Sequence, residues 1–252
     1  MQRIIFVLMV IAIGVLLLSC SDEMQSPMTT SEPDPTIALT DEAFNTKRGW
    51  SDKMTTGSYE VVLENLTSAT GPGASQPFSP PVLVTHKSRV SLFRVHHYAS
   101  DELRQIAEDA VNGPMVEKLE DSQKVLAVAQ GTGVIFPGSS ASFTIDARRG
   151  YHKFSLVSML VNTNDAFTGI SGANLPLKGE KVYYLYAYDA GTEQNTELTD
   201  HIPGPCCGNP LVRVPTRERI SIHQGILGIG NLDPAVYNWD KKVAKLTIRR
   251  IN

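Results

Sequence analysis

Short runs of β-branched and aromatic residues, broken every few positions by Gly, Pro, Asn or Asp, recur along this chain from about residue 58 to its end. They include Ser58–Leu66, Pro81–His86, Val90–Val95, Lys124–Ala129, Ala141–Asp146, Phe154–Val161, Val182–Tyr188, Glu218–His223 and Lys242–Ile251. The last alternates cleanly, with Val243, Lys245, Thr247 and Arg249 interleaved with Ala244, Leu246, Ile248 and Arg250. Runs of this length alternating with turn residues leave little room for crossover helices, so they predict an all-β antiparallel sandwich and not an α/β fold. One helix interrupts the series. Ser100 is suited to cap it, Asp101 and Glu102 to its first turn, and Leu103, Ile106, Ala107 and Ala110 recur at helical spacing. Asn112-Gly113-Pro114 stops it, and Met115–Leu119 predicts a second short helical piece.

The first 55 residues read differently. Arg3 followed by the apolar stretch Ile4–Leu18 has the length and flank of a secretory signal, and is short for a membrane span. Leu17-Leu-Ser-Cys20 is similar to the cleavage and acylation sequence of bacterial lipoproteins. Residues 1–19 are therefore read as a lipoprotein signal and Cys20 as the lipidated residue. Ser21-Asp22-Glu23 resembles an acidic export tag. Residues 20–55 are polar and Pro-rich, with few apolar groups to offset ordering entropy, and are read as a tether. Residues 56–252 form the single expected domain. The expected location is the cell envelope, on a lipid anchor, at an outer membrane or its surface.

Charge narrows the partners. Removing residues 1–19 takes away only Arg3, leaving 22 basic against 26 acidic groups, and no basic run stands out. Nucleic acid is not an expected partner. An extracellular protein or a glycan is the expected class, with the membrane reached through the anchor. Beyond Cys20 the cysteines are Cys206 and Cys207, too few for a disulfide scaffold. Adjacent cysteines can join in a strained ring or remain two thiols, and the sequence leaves both open. Gly225-Ile-Leu-Gly-Ile-Gly230 lacks the Lys-Ser/Thr of a phosphate loop and reads as a connection. His86, His96, His97, His152, His201 and His223 are a weaker transition-metal candidate, since His96 and His97 on a strand point to opposite faces. Cys206 or Cys207 with His201 or His223 can be written as a dyad, but nothing orients these groups and no nucleophile elbow is present.

Two acidic turns carry the functional reading. Phe154–Val161 runs into Asn162-Thr-Asn-Asp165-Ala-Phe-Thr-Gly169, and Val182–Tyr188 runs into Asp189-Ala-Gly-Thr-Glu193. If the turns lie side by side, Asp165, Asp189 and Glu193 form an oxygen-rich pocket suited to a hard cation such as Ca²⁺. The competing reading is that acidic residues end strands because their side chains bond the local backbone.

At these residues the chain resembles the amino-terminal domain family of F-spondin and mindin. The resemblance rests on Asp165-Ala-Phe-Thr-Gly169 and Tyr188-Asp-Ala-Gly-Thr-Glu193. It extends to Gln76-Pro-Phe-Ser-Pro-Pro81, Thr85-His86, Ser91-Leu-Phe93 and Asn238-Trp-Asp240 before the final strand. It covers roughly residues 57–252. It implies a C2-like antiparallel β-sandwich holding one Ca²⁺ through Asp165, Asp189 and Glu193. Glu193 stands where the animal proteins carry Asp, and the first turn's aromatic is displaced by one, to Phe167. By analogy with those proteins the expected role is non-catalytic binding or adhesion. A metal-dependent hydrolase on the same scaffold and a Ca²⁺-assisted phospholipid-binding module are the alternatives.

Overall fold

A computed structural model describes residues 56–252, apart from 205 and 208–211. Cys20, the signal and the tether lie outside the described residues. The strands are β1 (Thr56–Asn65), β2 (Val82–His86), β3 (Val125–Gln130), β4 (Ser140–Arg148), β5 (Lys153–Met159), β6 (Ala166–Asn174), β7 (Glu180–Leu185), β8 (Ala187–Asp189), β9 (Ser221–Ile222) and β10 (Ala244–Arg250). Helices α1 (Asp101–Asp109), α2 (Gly113–Glu120) and α3 (Pro234–Tyr237) complete the regular structure, with a 3-10 turn at Thr199–His201.

The strands form two antiparallel sheets, one ordered β4-β1-β10-β7 and the other β3-β2-β5-β6-β8-β9. The expected all-β sandwich is the observed fold. Strand alternation builds its core: Tyr59, Val61 and Leu63 on β1, Ile145 on β4, and Leu246 and Ile248 on β10 all turn inward and are buried. They meet Leu83, Phe154 and Leu156 from the opposite sheet. Each such side chain contributes roughly 1.5–3 kcal/mol by leaving water. The outward positions Glu60, Glu64, Lys245 and Arg249 pair across the β1–β10 ladder as Lys245–Glu64 and Arg249–Glu60.

β2 and most of β5 are buried on both faces. Their outer side, with Val82, Val84 and Val157, is covered by Leu103, Ile106 and Ala107 of α1 and Met115 and Leu119 of α2. Ser100 caps α1 by accepting from Leu103 N–H at 3.3 Å. The helix ends at Ala110, whose φ of 57° is left-handed, two residues before the Asn-Gly-Pro stop.

Three expected strands come out differently. Val90–Val95 is a loop. Its Phe93 ring packs edge-on against Phe167 with centroids 5.0 Å apart, and the Leu92 N–H bonds Ser171 Oγ. Side-chain packing and a hydroxyl, not a ladder, hold this segment to β6. Of Glu218–His223 only Ser221 and Ile222 form a strand, paired with β8. Val182–Tyr188 is two strands: β7 belongs to one sheet, β8 to the other, and the chain crosses between sheets at Tyr186.

Candidate functional site

The β5–β6 turn and the end of β8 are brought together by the short β6–β8 ladder, in which Ala166 pairs with Asp189. The turn is built by its own side chains. Thr163 Oγ1 donates to Leu160 C=O at 2.6 Å and accepts from Ala166 N–H at 3.0 Å. Asn162 donates to Ser75 C=O, and Asn164 donates to His201 C=O. This packing places Asp165 fully out of solvent.

Asp165 Oδ2 accepts the N–H groups of Thr192 at 2.7 Å and Glu193 at 3.0 Å, and the Thr192 hydroxyl at 3.2 Å. The other oxygen, Oδ1, is buried without a hydrogen-bond partner. Burial, with the Asp189 charge beside it, pushes the Asp165 carboxyl up to about 7, against the three donors that favour its ionised form. Asp189 has both oxygens occupied. Oδ1 accepts from Gly191 N–H at 2.6 Å, and Oδ2 accepts from Asn195 Nδ2 at 2.6 Å.

Asn195 is itself oriented by a buried histidine. Gly225 N–H donates to His223 Nδ1 at 3.0 Å, which places the ring proton on Nε2, 3.2 Å from Asn195 Oδ1. The Asn195 amide nitrogen is thereby turned to Asp189. Burial lowers the His223 pKa, opposed by the charges of Asp189 and Glu197. The neutral ring this relay needs is the form favoured by burial.

Glu193 departs from the expected arrangement. Its backbone N–H bonds Asp165, but its buried carboxylate turns to Arg213, whose Nε lies 2.8 Å from Oε1. Neither carboxylate oxygen receives an aligned hydrogen bond, so the contact is one of charge alone. Burial pushes this carboxyl up to about 8; the Arg213 guanidinium pulls it back, while Glu108, Asp165 and Asp109 add to the rise. The structure thus brings Asp165 and Asp189 together and leaves the Glu193 carboxylate beside them, engaged with Arg213. Among the described residues no three His, Cys, Asp or Glu side chains converge as a ready ligand set. The remaining donor set is nevertheless of one kind: carboxyl oxygens, three of them buried and without hydrogen bonds on Asp165 and Glu193. That chemistry fits a hard cation, and not a thiolate- or imidazole-seeking metal.

The residues missed by the sequence reading are Asn195, Glu197 and Arg213, and His223 lies at the site as a second support rather than as a metal ligand or the base of a cysteine dyad. None of the missed three left a clear signal: Glu193-Gln-Asn-Thr-Glu197 is polar at every position, so nothing marks which side chains turn inward. Glu197 is buried and accepts the consecutive N–H groups of Leu227, Gly228 and Ile229 at 2.6, 2.6 and 2.9 Å. The glycine-rich connection thus folds its amides around an internal carboxylate. Cys206 and Cys207 are joined to each other and pack beside Ile202, Ile226 and Leu232.

The family model described as Spondin_N matches residues 59–202, more than half of the chain, and the chain belongs to that family, a non-enzymatic family of binding type. The matched segment contains Asp165, Asp189, Glu193, Asn195 and Glu197, and stops before Arg213 and His223. No curated protein matches the chain.

Proposed function

We propose that this protein is a calcium-binding, non-catalytic adhesion or binding module of the cell envelope, anchored by lipid on Cys20 and directed at an extracellular protein or glycan. The observation that carries the calcium reading is Asp165 Oδ1, an acceptor buried without a partner next to a second carboxylate. An unpartnered buried acceptor of this kind costs about 1–3 kcal/mol or more. A cation held by Asp165 and Asp189, with Glu193 turning in as third ligand, would remove that cost and supply the missing counter-charge. When bound, the ion supplies charge neutralisation and a fixed geometry for two neighbouring turns. The chain's residues do the rest: Asn195 and Gly191 hold the Asp189 carboxylate, and Thr192 and Glu193 amides hold that of Asp165.

The test is thermal melting of protein first stripped with chelator, with and without Ca²⁺. At a concentration a hundredfold above Kd the linkage is about 2.7 kcal/mol, a rise in Tm of roughly 5–10 °C for a domain of this size. Asp189→Ala should abolish the rise. An unchanged midpoint across millimolar Ca²⁺ would sink the calcium reading. The anchor is tested separately: Cys20→Ala should move the protein from the membrane to the soluble fraction of the envelope.

A further inference from the structure

Arg213 reaches Glu193 on a segment that is itself part of the site's framework. The Thr192–Gln194 stretch and residues 214–218 are laddered by Gln194 N–H to Val214 C=O, Thr216 N–H to Thr192 C=O and Glu218 N–H to Gly191 C=O, each 2.8 Å. This sets Pro215 opposite Glu193 and brings the Arg213 side chain, two positions before it, within reach of the Glu193 carboxylate. Its guanidinium bridges two acids: Nε lies on Glu193, and Nη2 pairs with Asp109, the last residue of α1. Asp109 sits at the negative end of the helix dipole and so calls for a cation of its own. Of the other guanidiniums around this pocket, Arg104 is committed to Glu108 at 2.9 Å and Arg217 lies over the Tyr98 ring. Arg213 is thus the positive charge that Glu193 has.

The contact is unsatisfying for Glu193, since neither oxygen gains an aligned hydrogen bond and Arg213 Nη1 is also buried without a partner. It does one thing: it holds the Glu193 carboxylate on Arg213. From this arrangement we infer that Arg213 is a built-in competitor for the cation and sets the affinity of the site. This inference rests on the calcium reading above. In the ion-free protein the guanidinium holds Glu193. On binding, Glu193 exchanges Arg213 for the ion, and Arg213 is left to Asp109. The binding energy observed is then the ion's interaction with three carboxylates less the cost of separating the Arg213–Glu193 pair. Arg213 raises the Ca²⁺ concentration at which the two turns lock together.

The experiment is a Ca²⁺ titration of the full chain by calorimetry at pH 8.5, with melting curves of each ion-free variant to verify folding. Arg213→Gln should bind Ca²⁺ about tenfold more tightly, a coupling of the usual size between two linked sites. Arg213→Lys, which keeps the charge, should stay near the parent. Asp109→Asn releases the guanidinium wholly to Glu193 and should weaken binding. A folded Arg213→Gln protein that binds no more tightly than the parent overturns the inference while leaving the calcium reading intact. Glu193→Gln with parental affinity also overturns it, because Glu193 would then be no ligand. If neither the parent nor Arg213→Gln binds Ca²⁺, the calcium reading fails and this inference with it. Should Arg213→Gln not fold, unchanged affinity in Asp109→Asn is the overturning result.

Discussion

Glu197 and His86 show how single buried polar residues are made tolerable here. Three backbone donors surround the Glu197 carboxylate, so Glu197→Ala would leave Leu227, Gly228 and Ile229 N–H without acceptors in the loop they shape. The expected loss is about 2–4 kcal/mol, read as a lower denaturant midpoint. His86, wholly buried on β2, donates from Nδ1 to Lys87 C=O and accepts at Nε2 from Ser155 Oγ, both at 2.8 Å. Ser155 Oγ in turn accepts from Gly172 N–H. The neutral ring satisfies every partner and the protonated ring does not. Burial accordingly lowers the His86 pKa, with the neighbouring Lys153 adding to the shift and the Lys87 carbonyl opposing it. A base depressed in the folded state contributes stability that is full above its unfolded value of 6.5 and is lost as pH falls below it. His86→Gln should therefore flatten the fall in Tm between pH 6.5 and 5.

At the scale of elements, the strands were legible wherever a face was buried and the alternation had physical force behind it. β1, β4 and β10 carry that pattern on the page. So do Ser100, Leu103, Ile106 and Ala107 for α1. What the sequence could not show is where one apolar run changes sheet. Tyr183 to Tyr188 reads as continuous, but Leu185 pairs into one sheet and Ala187 into the other, and nothing in the side chains marks Tyr186 as the crossing. Val90–Val95 misled for the opposite reason. Its residues suit a strand, and aromatic packing onto Phe167 and Tyr188 takes them first. In the candidate site, Asp165 and Asp189 were readable as turn acids. The facing of Glu193 was not, because its partner Arg213 is 20 positions away in an extended segment with no local signal. Gly191 is where that segment presses hardest: its φ is +71°, and a Cβ there would lie 2.7 Å from the Glu218 backbone. Gly191→Ala should cost about 2–4 kcal/mol and loosen the strap over Glu193. Urea melts will measure the first, and amide exchange at Thr192 and Thr216 the second.

The whole molecule combines two pH trends of opposite sign. Asp165 and Glu193 are raised from ordinary values of 3.8 and 4.5 to about 7 and about 8. An acid raised in the folded state stabilises fully below its unfolded value, and that contribution is lost as pH climbs through the folded one. In the ion-free protein this loss runs from about pH 4 to about 8, whereas the histidine contributions of His86 and His223 are already complete above 6.5. The window from pH 6.5 to 8.5 isolates the carboxylates. Ion-free protein should lose Tm across it, and protein saturated with Ca²⁺ should not. Parallel curves would mean that the cation is not neutralising these groups.

β1 lies between β4 and β10 and is antiparallel to both. A pull that enters at Thr56 and is resisted through β4 and β10, at the ends that pair beside Asn65, runs along the length of that strand. Both of its ladders are then loaded in shear, so that many hydrogen bonds must yield together and none can be peeled off in turn. Were the proposed tether to carry load into Thr56, the order of four strands would make the first strand a tension member.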